Sequence, residues 1–162
     1  LESDAELNDY CHRVAGCVGI FWTTIGFLTL GSRFSSHDPS ELETHGERFG
    51  RGLQLVNILR DLPNDHAAGR GYLPGAELND IAAIHQQATR WRKTARDLIT
   101  SGHHYARAMH LRRLRLAVAL PARLGSDTLN LLDQADWSAM QRGVKVPRSR
   151  VWWHCLAAFC RG

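Results

Sequence analysis

Along almost the whole of this chain, apolar residues recur at steps of three and four, the period of an α-helix. Nowhere do they alternate every second residue over a length that would pair two strands. Helices built this way must each bury one stripe against another helix. The predicted fold is therefore all-α: one domain over residues 1–162, made of antiparallel helices packed as a bundle.

The punctuation divides this pattern into elements. Ser3 with Glu6 makes a capping box. Behind it Leu7, Cys11, Val14, Val18, Phe21/Trp22, Ile25 and Leu28 mark one apolar stripe of a first helix. Gly31 to Asp38 is a loop. Asp38-Pro39-Ser40-Glu41 starts a second helix, with an N-cap, a proline in the first turn and an acid at the third position. Pro63 is expected to kink or end it near Asp65. A glycine-rich loop over 67–76 follows. A third helix is predicted from about Glu77 to Thr100, with a break at Gly102, and a fourth from about His104, kinked at Pro121, to about Leu132. Val144 to Pro147 reads as extended, and a final helix as starting near Pro147. Trp152-Trp153 reads as one core and one surface residue.

The length is enough for one domain with a real core, and 44% hydrophobic with 22% charged residues is an ordinary globular composition. Val14 to Leu30, the longest apolar run, is interrupted by Gly16, Gly19, Thr23, Thr24 and Gly26, so no transmembrane segment is expected. The acidic residues of the first nine positions do not suit a signal peptide. The chain opens on Leu1, which suggests a fragment. Cys11, Cys17, Cys155 and Cys160 form no CxxC pair and are expected as reduced thiols, consistent with a cytoplasmic protein. The net charge is +4, and basic residues crowd into Arg90–Arg115 and Arg142–Arg150. That favours an anionic partner. The run Arg107, Arg112, Arg113, Arg115 lacks the interleaved aromatics of a nucleic-acid platform, so a solvated face or anionic lipid is the expected contact, with no nucleic acid. The nine histidines show no metal-binding spacing.

The most informative stretch is Gly46 to Pro74, GERFGRGLQLVNILRDLPNDHAAGRGYLP. Gln54, Asn57, Asp61 and Asp65 fall at intervals of three, four and four, which stacks four oxygen-bearing side chains along one helix stripe. Two carboxylates roughly 6 Å apart, at an effective dielectric near 20, repel by about 3 kcal/mol. Water removes that cost on an exposed face, and a divalent cation removes it in a cleft. Magnesium wants hard oxygen ligands and takes one or two carboxylates, several waters and substrate phosphates. Asp61 and Asp65 suit that role, while Gln54 and Asn57 could donate amide hydrogens to a phosphate. Arg60 flanks the stripe. Arg70, in a Gly69-Arg70-Gly71-Tyr72 loop, could hold phosphate oxygens bidentately. Tyr72 either hydrogen-bonds the same group or anchors the loop by packing. In Tyr10-Cys11-His12-Arg13-Val14-Ala15-Gly16, the small residues Ala15, Gly16 and Gly19 read as tight helix packing, or as room for a bulky apolar ligand.

Together these segments resemble the squalene/phytoene synthase family. GLQLVNILRDLPNDHAAGRGYLP looks like its second aspartate-rich motif, YCHRVAGCVG its tyrosine segment, and VKVPRSRV its C-terminal signature. The resemblance implies an isoprenoid-synthase-like helical bundle that joins two prenyl diphosphates, farnesyl or geranylgeranyl, head to head. The product is a thirty- or forty-carbon hydrocarbon (squalene, dehydrosqualene or phytoene), formed through a cyclopropyl diphosphate. It implies magnesium held by Asp61 and Asp65, a diphosphate end lined by Gln54, Asn57, Arg60, Arg70 and Tyr72, and Tyr10 near the reacting carbons or the diphosphate. NADPH is implied only for squalene. The family's first acidic motif lies upstream of the tyrosine segment, and only nine residues precede Tyr10 here. The chain thus resembles the C-terminal part of such an enzyme, incomplete at its N-terminus. It is expected to be inactive alone, and cytoplasmic or peripheral on the inner membrane surface. The alternatives are a non-catalytic binding or assembly relative of the same fold and, more distantly, a basic peripheral membrane or nucleic-acid module.

Overall fold

The computed structural model describes residues 1–77 and 79–160, and among them every regular element is helical. Among the described residues seven α-helices run in order: α1 Asp4–Cys11, α2 Cys17–Leu30, α3 Pro39–Ala67, α4 Ile81–Ala108, α5 Arg112–Gln134, α6 Trp137–Gln141 and α7 Arg148–Cys160. A π-helical turn, His12–Gly16, joins α1 to α2, and a short 3-10 turn, Gly31–Arg33, follows α2. The side chains of Phe159 and Cys160 lie outside the described residues.

The predicted starts of the first, second and final helices hold, whereas the third helix begins at Ile81 rather than near Glu77. Ser3 Oγ accepts the Glu6 N–H at 3.2 Å, and the Glu6 carboxylate accepts the Glu2 N–H at 2.7 Å. Asp38 Oδ1 caps α3 by accepting the N–H groups of Ser40 and Glu41 at 2.9 and 3.2 Å. Pro63 does not stop α3, which continues to Ala67. Of the backbone bonds a proline removes, one is a small loss within a helix of 29 residues packed on several sides.

α3 is the central rod, packed against α4, α2, the π turn, α5 and α6. Its buried face carries Leu42, Phe49, Leu55, Val56, Ile58, Leu59 and Leu62. These meet Ile84, Ala88, Trp91, Ala95, Leu98 and Ile99 of α4, and Ala122, Leu129 and Leu132 of α5.

Two expectations fail for one reason. Gly102 does not break a helix: it lies inside α4, and the next helix begins at Arg112 rather than His104. A Cβ on Gly102 would sit 2.3 Å from the Phe49 ring, so the glycine is there to admit that ring. The apolar stripe of the first helix likewise faces the wrong way. Leu7 and Cys11 of α1 are buried, but α2 buries Thr23 and Gly26 and exposes Val14, Val18, Phe21, Trp22 (62%) and Leu28 (80%) with the turn before it. A Cβ on Gly19 would stand 2.0 Å from the Gly46 carbonyl oxygen, and one on Gly50 would stand 2.2 Å from that of Ala15. α2 and α3 therefore meet backbone to backbone, and their small residues form the contact. Thr23 Oγ1 and the Tyr105 hydroxyl complete it with a buried 2.6 Å hydrogen bond to α4.

The glycines and threonines that seemed to interrupt the first apolar run sit within the helix. Asp4–Arg33 is the one helical stretch, among the described residues, long and apolar enough to cross a membrane by length and composition. Here it lies along α3. The five-residue α6, capped by Asp136 Oδ1 accepting the Ala139 N–H at 2.7 Å, was not legible in the sequence.

Cys11, Cys17 and Cys155 are free thiols. Burial pushes the Cys11 thiol up to about 11, with Arg51 opposing the shift, whereas Cys17 is exposed. A thiol with that pKa is on the order of 0.1% thiolate at pH 8, and the thiolate is the nucleophile. Iodoacetamide at pH 8 should therefore label Cys17 and leave Cys11 unmodified in the folded protein. Peptide mass spectrometry reads this directly, and equal labelling of the two would contradict the burial of Cys11.

Candidate active site

The polar stripe of α3 exists as the spacing predicted. Leu55, Val56, Ile58, Leu59 and Leu62 turn into the core, which leaves Gln54, Asn57, Asp61 and Asp65 on the remaining face. Asn57 is exposed and Gln54 half-buried. The Asp61 side chain is 43% exposed, whereas Asp65, deeper against the loop, is 14% exposed.

Each carboxylate holds an arginine. Arg60 donates to both oxygens of Asp61, Nε to Oδ1 at 2.9 Å and a terminal nitrogen to Oδ2 at 2.7 Å. Arg70 donates to one oxygen of Asp65, from Nε at 2.9 Å and from a terminal nitrogen at 2.7 Å. These hydrogen bonds raise both guanidinium pKa values further. The reach of Arg70 comes from the chain reversal after α3. Gly69 adopts φ +70°, a left-handed conformation that favours glycine, and the Arg70 N–H then donates to the Asp65 carbonyl at 2.8 Å.

Tyr10 and Tyr72 come together at the same end of α3. Their rings lie 5.5 Å apart, tilted by 39°. Burial raises the Tyr10 pKa, followed by its hydrogen bond to Tyr72 and by the neighbouring charges of Tyr72, Cys11 and Asp65. Tyr10 therefore keeps its hydroxyl proton. Tyr72 also packs on the core, so its anchoring role is realised together with contact to Tyr10.

Two cavities flank α3. One, of about 540 Å³, is lined by Arg60, Asp61, Asn64, Thr128, Lys145 and Val151, among others. The other, of about 560 Å³, is apolar, with Val14, Val18, Trp22, Phe49, Leu53 and Leu114 in its wall. Ala15, Gly19, Gly46 and Gly50 also line it. The two readings of the small residues are thus both realised: they let the backbones touch and they leave space beside the contact. Leu53 in the apolar wall and Arg60 in the polar one are seven residues apart, about 10 Å along the helix axis.

Sequence reasoning missed Lys145, Asn64 and Thr128. Lys145 lies within VKVPRSRV, whose resemblance carried no site residue, and only the path of the chain after α6 brings it to Arg60 and Asp61. A second network also went unread. The His12 ring Nδ1 lies 2.9 Å from Glu47 Oε1, Glu47 accepts from Arg51 at 3.4 Å, and Arg51 donates to Asn8 Oδ1 at 2.6 Å. It ties the π turn to α3.

Among the described residues no group of three or more His, Cys, Asp or Glu side chains is poised to hold a metal ion. Asp61 and Asp65 are a pair of hard-oxygen donors one helical turn apart. That set fits magnesium bound jointly by protein, water and phosphate rather than in an all-protein cage.

The chain is similar to several known proteins. It is 38% identical over 80 residues to the 4,4'-diapophytoene synthase of Staphylococcus haemolyticus, covering 49% of this chain and 25% of that protein. To the presqualene diphosphate synthase of Zymomonas mobilis it is 31% identical over 166 residues, covering 94% and 53%. To the 15-cis-phytoene synthase of Synechocystis it is 28% identical over 158 residues, covering 88% and 47%. Its fold matches that of TcSQS, solved with a bound ligand, at a TM-score of 0.81 and 21% identity, covering 97% of this chain and 49% of that one. It also matches a dehydrosqualene synthase at a TM-score of 0.72 and 21% identity, covering 99% and 58%. The chain thus spans about half the length, or less, of these relatives. Residues 1–150 match the squalene/phytoene synthase family over nearly the entire chain, and the protein belongs to that family.

Proposed function

We propose that this chain forms one wall of an enzyme that condenses two prenyl diphosphates head to head. The observation that carries the reading is the composition of α3. One helix presents Asp61 and Asp65, each with an arginine, and lends Leu53 to a 560 Å³ apolar cavity. A prenyl diphosphate has the same two ends, one anionic and one hydrocarbon.

In this reading Asp61 and Asp65 would hold magnesium, which would supply positive charge at the leaving diphosphate. Arg60 and Arg70 donate hydrogen bonds to phosphate oxygens, helped by the amides of Gln54 and Asn57. Lys145, which lines the polar cavity together with Arg60, adds positive charge at the same end. Departure of diphosphate from the first substrate leaves an allylic cation; the double bond of the second attacks it, and loss of a proton, which the departed diphosphate can accept, closes the ring of the cyclopropyl diphosphate. Tyr10, with its hydroxyl protonated, stands beside this chemistry, with Tyr72 holding it. The inner wall of the apolar cavity, Phe49, Leu53 and Leu114, keeps water from the cation.

The family places its first acidic motif on a helix facing this one, and the reading assigns the remaining half of the site to that helix in a longer protein. Incubation with farnesyl diphosphate and magnesium tests this. The longer protein should turn over, and the 162-residue chain should do so at least a hundredfold more slowly. Robust turnover by the shorter chain would show that one wall suffices. Product analysis with fifteen- and twenty-carbon diphosphates, with and without NADPH, distinguishes squalene from dehydrosqualene and phytoene.

A further inference from the structure

Trp152 and Trp153 do not divide between core and surface. Both are exposed, as is Leu156, while Val151 is half-buried, so little apolar burial holds α7 in place. The hold is polar instead. His154 Nε2 lies 2.7 Å from Asp127 Oδ2 of α5, and the two side chains are only 18% and 14% exposed. Arg150 approaches the other Asp127 oxygen at 3.6 Å, and the Arg123 guanidinium donates to the His154 carbonyl at 3.5 Å. Asp127 thus gathers His154 and Arg150 of α7 onto α5.

The same turn of α5 borders the polar cavity, where Leu124 and Thr128 stand in the wall with Val151. So does the non-helical strap of residues 143–147, which joins α6 to α7 and carries Lys145. The strap is fixed at its start. Met140 is buried, the Gly143 N–H donates to the Met140 carbonyl at 2.9 Å, and Val144 packs on the core. At its end the Pro147 carbonyl accepts the N–H groups of Arg150 and Val151 at 2.9 and 3.2 Å. Between Lys145 and α7 lie Val146 and Pro147, and the proline ring fixes its own φ. A shift of α7 is therefore passed to Lys145 with few torsions left to absorb it. Among the described residues the Lys145 ammonium has no hydrogen-bond or ion-pair partner, so the backbone that carries it sets its place in the cavity.

We infer that Asp127 is a positioning residue: it holds α7 through His154 and thereby fixes Lys145 in the polar cavity with Arg60 and Asp61. The inference rests on the reading of that cavity as the diphosphate end. A mostly buried hydrogen bond to a carboxylate keeps a defined geometry, which exposed ion pairs do not. Asp127 does not itself line the cavity, so its effect on substrate passes through α7 and the strap.

A double-mutant cycle in the longer enzyme tests this, read as competitive inhibition by inorganic pyrophosphate with magnesium during turnover of farnesyl diphosphate. Lys145→Gln and Asp127→Ala should each raise the inhibition constant about tenfold, the size of one charge-assisted hydrogen bond. Asp127→Ala added to Lys145→Gln should raise it no further, because both changes remove the same contact. His154→Ala cuts the bond from the side of α7 and should match Asp127→Ala, which keeps the test decisive if the α5 variant unfolds. In both single variants trypsin should cut after Lys145 several times faster than in the parent, while sites within α3 stay protected. Effects that multiply in the double variant would show that Asp127 does not act through Lys145, and would overturn the inference. Unchanged cleavage after Lys145 would overturn it too. Unchanged inhibition in Lys145→Gln would show instead that the polar cavity is not the diphosphate end, and the reading beneath the inference would fall with it.

Discussion

Asp61→Asn and Asp65→Asn, each introduced into the longer enzyme, should lower turnover at least a hundredfold while leaving the protein folded. Loss of one electrostatic group aimed at developing charge costs on the order of 10²–10³ in rate. A carboxylate that shares a divalent cation with the leaving group is such a group. The amide is nearly the same shape, so packing is preserved. Stability should change little, because the Arg60–Asp61 pair is about 40% exposed on both sides, and pairs of that kind contribute about 0–1 kcal/mol. Arg70 is more exposed still, so water hydrates its guanidinium once Asp65 has lost its charge. The informative measurement is turnover against magnesium concentration. The variants should need more magnesium and still not recover the parental rate. Near-parental rates at ordinary magnesium would remove these two acids from the chemistry.

The second large effect concerns the fold. Gly19→Ala should destabilise the protein by about 3 kcal/mol or more, at or beyond the usual upper range for overpacking. The added methyl would stand 2.0 Å from the Gly46 carbonyl oxygen and 2.3 Å from its carbon, and backbone cannot turn aside as a side chain can. The helices must separate, and the buried Thr23–Tyr105 hydrogen bond is strained with them. Gly125→Ala is the matched control. There the new methyl would meet the Ile99 Cδ1 atom at 3.0 Å, a flexible end, and replacing a helix glycine returns up to about 1 kcal/mol. Urea denaturation should place the Gly19 variant far below the parent and the Gly125 variant close to it. Equal midpoints for the two variants would mean that α2 and α3 do not meet as described.

The acid stripe was legible because helical periodicity and the Asp38-Pro39 start fix which residues share a face, whatever the partner. All-α architecture was legible for the same reason, whereas the pairing of Arg70 with Asp65 was not: the sequence placed Arg70 in a glycine-rich loop just past the acidic turn and suggested phosphate as its partner. Orientation was not legible either. Counting apolar residues pointed Val14, Val18 and Trp22 inward, yet α3 presents Gly46 and Gly50 at the crossing, and against such a surface the small face of α2 comes closer than the large one. Gly102 carries the same ambiguity: a glycine reads as a break until the ring of Phe49 is known to lie on it. Lys145 and Trp152 depend on where a loop lands, which local periodicity does not encode.

The π turn at His12–Gly16 gives the first helical rod two independent phases. A π turn holds one residue more than the α turn it replaces, and each residue of an α-helix advances about 100°. The phase of α1 is set by Leu7 and Cys11 in the core, and that of α2 by Gly19 against Gly46. No straight α-helix through this sequence satisfies both. A lineage that lost one residue between His12 and Gly16 would keep a helix of nearly the same length and composition, yet would point a different side of α2 at its neighbours. The turn works as a clutch between two halves of a rod, and the length of this short segment carries as much information as the identity of its residues.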